Sequence, residues 1–292
     1  MAIRKILLPL AGIASAPGAL TTALMLAERW CAHLHALHVR TDTRDVAPLA
    51  GEGLSGAMIE EMMASTEKEG NTEASALLAL FTTQTTARNI AVGAPLRAES
   101  GAVRAASARF SSIVGREEEL VAGEARLSDL IVVPHPKSAE EVASADALHA
   151  VLFDSGRPAL IAPVGIPATL GTRIAIAWNG TAESASAVAS VLPWLADATA
   201  IRIFHSPDYQ RQGPDAAQLA DFLELHGITA DATEFRAIDR NAGAGLLAAV
   251  TDYGADLLAM GAYSHSRLRQ LILGGVTRHV LEHASIAVLM NR

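Results

Sequence analysis

The sequence predicts an α/β protein made of two doubly wound units in tandem, each on a five-stranded parallel sheet. Three observations lead there. Short apolar runs of strand length alternate with longer stretches of helical period, the pattern that crossover connections impose on a parallel sheet. The order of runs and turns in the first half of the chain recurs in the second. At 292 residues the chain is long enough for two cores of ordinary size, and half of it is hydrophobic.

The repeat begins at Lys5–Gly12, which aligns with Arg173–Gly180. Each is a short apolar run closed by a glycine turn, then an Ala-rich amphipathic stretch, Leu20–Trp30 and Ser184–Leu195. Unbroken apolarity over strand length fits strands covered on both faces. Second strands are expected at His35–Arg40 and Ala200–His205, and third strands at Asn89–Gly93 and Asp231–Arg236. The fourth pair is Ser128–Pro134 and Ala255–Gly261, and each half closes on a final strand, Pro158–Pro163 and Ile286–Met290. Ala57–Phe81, Gly101–Arg126, Gly243–Tyr253 and Val276–His283 have helical period. The Pro/Gly-punctuated stretch Pro163–Thr172 reads as a linker dividing a first unit, residues 1–165, from a second, residues 170–292. Because it is short, the units are expected to pack together. Antiparallel pairing of the two final strands would leave neither apolar edge open.

The net charge of −8 argues against a nucleic-acid or anionic-membrane binder, since nothing neutralises phosphates in bulk. Cys31 is the only cysteine, so neither an intrachain disulfide nor a cysteine-based zinc cluster can form; it reads as a small buried residue near a helix end. Arg4 and Lys5, the apolar Ile6–Ala14 and then Ala14-Ser15-Ala16 imitate a secretory leader. The same pattern recurs internally at Arg173–Trp178, so it reads as a strand, and no apolar run reaches the roughly 20 residues that span a bilayer. A cytoplasmic protein without membrane contact is expected.

The chemistry concentrates after the fourth strand of the second unit. Gly261 permits a tight turn at the carboxyl end of the sheet, where open α/β sheets bind ligands. Gly274 and Gly275 precede the helical Val276–His283, and backbone N–H groups at a glycine-rich helix start form a phosphate cradle. His265, Arg267 and Arg269 lie between, and Thr277 adds a hydroxyl.

This stretch resembles the nucleotide signature of the universal stress protein family: Gly, two residues, Gly, nine residues, Gly, then Ser or Thr. Here the series is Gly261, two residues, Ser264, nine residues, Gly274, Gly275, with the spacing kept. The resemblance extends over both halves, and Gly156–Pro163 with Gly261–Leu273 are similar to the tandem subfamily in particular. It implies Rossmann-like domains of the adenine-nucleotide-binding type, a stress-response role, and ATP or another adenine nucleotide, with or without magnesium, in the second unit. The implied nucleotide contacts are Asn179, Gly180, Ile203, Gly261, Ser264, His265, Gly274, Gly275, Val276 and Thr277. Single-domain relatives pair through their last strands, which implies an intramolecular pseudo-dimer here, with a homodimer as a further assembly. The chain departs from the family pattern at three places. Ser264 replaces the second Gly, Gly275 replaces the hydroxyl residue, and Asn179 stands where ATP-binding relatives carry Asp. In the first unit Ala11 takes the Asn179 position and no glycine follows Pro134 before Gly156, so no cradle and no nucleotide are expected there.

Other constellations have plainer readings. Cys31, His33, His35 and His38 imitate a metal set, yet His35 and His38, three apart on a strand, point to opposite faces. Met58, Met62 and Met63 sit at helical spacing and read as core, while Glu60-Glu61 and Glu117-Glu118-Glu119 read as solvated helix faces. His205 reads as a turn histidine and Asn241 as a helix cap. No catalytic set is legible, neither a Ser/His/Asp arrangement nor a P-loop lysine motif. Three functions stay open: a nucleotide-responsive regulatory module, a slow ATP hydrolase, and a protein-interaction role without nucleotide.

Overall fold

In the computed structural model, residues 2–43, 55–95, 105–135, 148–262 and 275–292 are described. The strands are β1 (Lys5–Pro9), β2 (His33–Arg40), β3 (Ala91–Val92), β4 (Ser107–Val114), β5 (Leu130–Val133), β6 (Ala159–Ile161), β7 (Arg173–Ala177), β8 (Ala200–His205), β9 (Asp231–Glu234), β10 (Leu257–Gly261) and β11 (Ala287–Asn291). Among the described residues they form one sheet, in the order β3-β4-β2-β1-β5-β6-β11-β10-β7-β8-β9. The order read outward from β6, 6-5-1-2-4, repeats outward from β11 as 11-10-7-8-9. Every neighbour pair is parallel except β6 with β11.

That antiparallel seam sets Ile161 opposite Val288, Leu160 opposite Leu289 and Ala159 opposite Met290. Pro158 and Pro163 flank β6, so no proline interrupts the pairing. Two apolar edges that would otherwise template aggregation cover each other.

The helices are α1 (Ala16–Trp30), α2 (Gly56–Ala87), α3 (Glu117–Ala125), α4 (Ala182–Leu195), α5 (Ala216–Glu224), α6 (Ala242–Tyr253) and α7 (Gly275–His283). One core, under α1, α2, α4 and α5, joins Leu20, Leu24 and Phe81 to Val191, Trp194 and Leu219. The other, under α3, α6 and α7, joins Val121 and Ile131 to Leu246, Val250 and Val280. Leu160 and Leu289 belong to the first core, Ile161 and Val288 to the second, so both run through the seam. The two halves also meet through Trp30 and Trp194, edge to face at 4.6 Å, with the Arg29 guanidinium over both rings. Arg29 donates to the Leu170 carbonyl at 2.8 Å and so fixes the linker to the first half.

Three expectations need correcting. Gly101–Arg126 is not one helical segment: Ser107–Val114 is a strand paired with β2 along eight residues, and the helix is only Glu117–Ala125. The first half therefore has six strands, with the expected third strand reduced to Ala91–Val92 at its edge. Ser107, Arg109 and Ser111 alternate with Ala108 and Phe110, the period of a half-polar strand, in place of the unbroken apolar run that marks the other strands; Ala108 is fully buried, and the partly buried Phe110 packs on Phe81 at 5.9 Å. Met58 and Met62 are 49% and 40% exposed, not core. Helix α2 runs about 48 Å at 1.5 Å per residue, longer than the strands beneath it. Its buried residues, Leu77, Phe81 and Thr85, all lie near its end. Cys31 is partly exposed and caps α1 in the left-handed region at φ +48°.

Candidate functional site

A cavity of about 530 Å³ opens at the carboxyl ends of β7, β8 and β10. The starts of three helices converge on it. Glu183 and Ser184 come from α4, Asn241 and Ala242 from α6, and Gly275, Val276 and Thr277 from α7. Helix amino termini present unbonded N–H groups and the positive ends of their dipoles, so their convergence favours an anion. Trp178, Phe204, Tyr209 and Phe235 give the walls an aromatic character suited to a flat ring.

Local chemistry places these groups. Asn179 Oδ1 accepts from the Thr181 backbone N–H at 3.3 Å and hydroxyl at 2.9 Å, and Thr181 Oγ1 in turn accepts from Ser184 N at 3.3 Å to cap α4. The segment after β8 folds back over this turn: Arg211 N donates to the Asn179 carbonyl at 2.8 Å and Trp178 Nε1 to the Pro214 carbonyl at 2.9 Å. Gly261 ends β10 against the first turn of α4, where a Cβ would stand 2.6 Å from Ser184 N and 2.7 Å from the Glu183 carbonyl carbon. A glycine is needed there so that the sheet and α4 can close. Ser206, just past β8, is 2% exposed and lines the cavity, and its hydroxyl has no partner among the described residues. A buried hydroxyl left unpaired is uncommon and marks a place for a polar ligand atom or a water.

Of the residues implied by the resemblance, Asn179, Gly261, Gly275, Val276 and Thr277 come together around this cavity. Gly180 sits one position behind Asn179, in the left-handed region at φ +80°. Ile203 is fully buried among the residues under α4 and α5, and the next residue, Phe204, lines the cavity because a strand alternates its faces. Ser264, His265 and Gly274 lie outside the described residues, as do Arg267 and Arg269. Trp178, Phe204, Ser206, Tyr209, Phe235 and Arg240 were not picked out from the sequence, and Asn241 was read only as a cap. Ser206 carried a usable signal, a polar residue directly after a central strand of an open sheet; Arg240 carried none. His205 is the last residue of β8, opposite Glu234 on β9, and does not line the cavity.

The corresponding turn in the first half is occupied by the chain itself. After β1 the backbone N–H of Ile13 donates to the carboxylate of Glu73 on α2, and His38 Nδ1 bonds the Leu10 carbonyl at 2.8 Å. A protein carboxylate thus stands at the turn equivalent to the second half's cavity.

The first half does gather titratable groups elsewhere, on the face of β1, β2 and β4 under α3. His35 Nε2 lies 2.6 Å from Ser111 Oγ, and its Nδ1 lies 3.0 Å from Arg109 Nη2 and 3.4 Å from Glu124 Oε2. Ser, His and Glu in line imitate a nucleophile, base and acid, but the tautomer is wrong. The nearer guanidinium donates to Nδ1, so Nε2 carries the proton and donates to Ser111, which is not activated. Burial, then the Arg109 charge, pushes the His35 pKa down to about 4, with Lys5 and His33 adding to the effect and Glu124 opposing it. His33, bonded to Ser107 at 2.9 Å, is lowered for the same first reason. An unfolded chain takes up these protons near pH 6.5, whereas the folded one resists until well below. The stabilisation is therefore complete above about pH 6.5 and is lost as pH falls toward 4. Urea midpoints at pH 7 and pH 5 should show this fall, and His35→Gln should flatten it; equal slopes in both proteins would rule out His35 as its source.

The doubly wound sheet places its cavity at the carboxyl edge, where open α/β sheets bind ligands. Residues 173–292 match the model of the universal stress protein family. Among solved structures it is similar to a universal stress protein from Archaeoglobus fulgidus DSM 4304 at a TM-score of 0.65 and 14% identity, covering 99% of this chain and 96% of that one. It is also similar to a protein of unknown function from Pseudomonas aeruginosa PAO1 at a TM-score of 0.53 and 15% identity, over 99% and 92%. At such identities these likenesses speak for the fold. No curated protein matches the chain in sequence. No described helix is long and apolar enough to cross a membrane.

Proposed function

We propose that the chain is a tandem universal stress protein whose second domain, residues 170–292, binds one adenine nucleotide, ATP or a relative, with or without magnesium. The first domain, residues 1–165, binds none. The observation that carries this is the cavity in which three helix starts, an aromatic lining and the unpartnered hydroxyl of Ser206 meet. Phosphates would lie against the backbone of Gly261, Gly275 and Val276 with Thr277 beside them, together with Ser264, His265 and Gly274 of the signature loop. The nucleoside would lie toward Asn179, Gly180 and the β8 strand of Ile203. The protein would act in the cytoplasm in a stress response, as an intramolecular pseudo-dimer open to further homodimerisation, without nucleic acid or membrane as partner. Its role is regulatory: occupancy changes the loop between Gly261 and Thr277, and a partner protein reads that change. Slow hydrolysis has weaker support, because Glu183 is the one carboxylate among the described residues of the cavity wall and nothing there marks it as a base for water.

Calorimetric titration of the full-length protein with ATP, with and without magnesium, tests the reading. One site per chain supports it; two sites or none would refute it. Gly275→Ser is the informative variant, since a Cβ at Gly275 meets nothing within 4 Å. The added hydroxyl at a helix start should tighten ATP about fivefold, the worth of one hydrogen bond of about 1 kcal/mol, with the melting temperature unchanged. Weaker binding by that variant would show that the phosphates do not pass there.

A further inference from the structure

The turn that leads into α6 is built against local preference. Asp239 and Arg240 both occupy the left-handed region, at φ +50° and +61°. They form a two-residue turn closed by Ile238 N to the Asn241 carbonyl at 3.1 Å and Asn241 N to the Ile238 carbonyl at 2.8 Å. Mirror-image turns of this kind favour Gly and Asn, and an arginine in one is strained. The surroundings hold the turn in place. Tyr209 Oη donates to the Arg240 carbonyl at 3.4 Å, and the Asn241 side chain caps α6 through Ala244 N at 3.1 Å while its Nδ2 meets His279 Nδ1 of α7 at 3.0 Å. Gly245 lets α6 close on the segment before the turn, since a Cβ there would stand 2.0 Å from the Arg236 carbonyl oxygen.

What this arrangement presents is a cation. Arg240 lines the cavity, and among the described residues its guanidinium has neither a carboxylate nor a hydrogen-bond partner. The chain as a whole carries a net charge of −8, so an unpaired guanidinium on the wall of a cavity runs against the general field. Within the same cavity Ser206 holds a buried hydroxyl without a partner, an independent sign that a polar ligand belongs there.

We propose that Arg240 is the residue with which this cavity reads the charge of its ligand, its guanidinium pairing with a phosphate of the bound nucleotide. The proposal rests on the nucleotide reading above and adds a side-chain determinant to the backbone cradle at the start of α7. The turn sets Arg240, an exposed residue, at the rim of the cavity, where its side chain can meet a ligand.

The test is titration of the full-length protein with ATP and with adenosine, which has the same base and sugar but no charge, at low and physiological salt. Arg240→Gln should weaken ATP about five- to tenfold, leave adenosine within about twofold, and shrink the salt dependence of ATP binding. Arg240→Lys should recover part of the loss. Asp239→Gly alters the same turn but keeps the guanidinium, so its ATP affinity should stay near that of the wild type. Unchanged ATP binding by Arg240→Gln, with a wild type that does bind, would overturn this proposal alone. So would an equal loss of ATP and adenosine, or a loss in Asp239→Gly matching that in Arg240→Gln, because the turn would then matter only as a prop. A wild type that binds neither ligand would remove both this proposal and the reading beneath it.

Discussion

The Gly261→Val protein is expected to lose nucleotide binding by more than a hundredfold and to be less stable by about 1 to 3 kcal/mol, the usual cost of forcing extra atoms into a packed site. From the sequence, this glycine reads as a tight turn and, through the family resemblance, as a nucleotide contact. The structure gives a nearer neighbour: even a Cβ would lie 2.6 Å from Ser184 N and 2.7 Å from the Glu183 carbonyl carbon. The first turn of α4 must move, taking with it the Asn179–Thr181 turn that forms one wall of the cavity. Binding and stability should therefore fall together here, whereas at Gly275 a substitution meets open space and should leave stability alone. Urea denaturation and ATP titration on both variants check this. A Gly261→Val protein of wild-type stability that had lost only its ligand would restore the simpler picture of a side chain filling ligand space.

Trp194→Ala should destabilise the protein by about 3 to 5 kcal/mol, the range for deleting a large buried aromatic side chain. Trp194 is fully buried, meets Trp30 edge to face, and shares the Arg29 guanidinium with it. The loss should spread to both halves, because Trp30 closes α1 in the first half and Trp194 lies near the end of α4 in the second. Arg29 also holds the linker carbonyl of Leu170. A single cooperative urea transition with a lowered midpoint is the expected result. Two separated transitions, only one of them shifted, would show that the halves unfold independently despite their shared sheet.

The sequence made the repeated strand order visible because buried parallel strands are short, apolar and bounded by glycine or proline, and both halves kept that signal at Lys5–Gly12 and Arg173–Gly180. The pairing of the last strands followed from the resemblance to single-domain relatives, and it covers the apolar final strand of each half. Ser107–Val114 stayed hidden because it lacks an unbroken apolar run: Ser107, Arg109 and Ser111 alternate with Ala108 and Phe110, a half-polar pattern too short to stand out within a longer Ala-rich stretch. These polar residues are tolerated there because His33 and His35 on β2 accept or donate to the two serines. Met58 and Met62 misled for the opposite reason: helical spacing marks a face, yet only contact with the sheet decides whether that face is covered.

For the site, the sequence alone determined what depends on spacing along the chain: the turn at Gly261, the helix start at Gly275–Thr277, the polar residue after β7. The tertiary structure decided what depends on distance through space. It brought Phe204 and Ser206, at the end of β8, and Arg240, before α6, to the same cavity, turned Ile203 away because a strand alternates its faces, and set Glu73 at the vacant-looking turn of the first half. Local preference opposes a left-handed arginine, so no reading of residues 238–241 by themselves would place Arg240 where it stands. The Tyr209 hydroxyl donating to the Arg240 carbonyl and the Asn241 amide donating to His279, both made across the fold, add to the turn's own hydrogen bonds in holding it there.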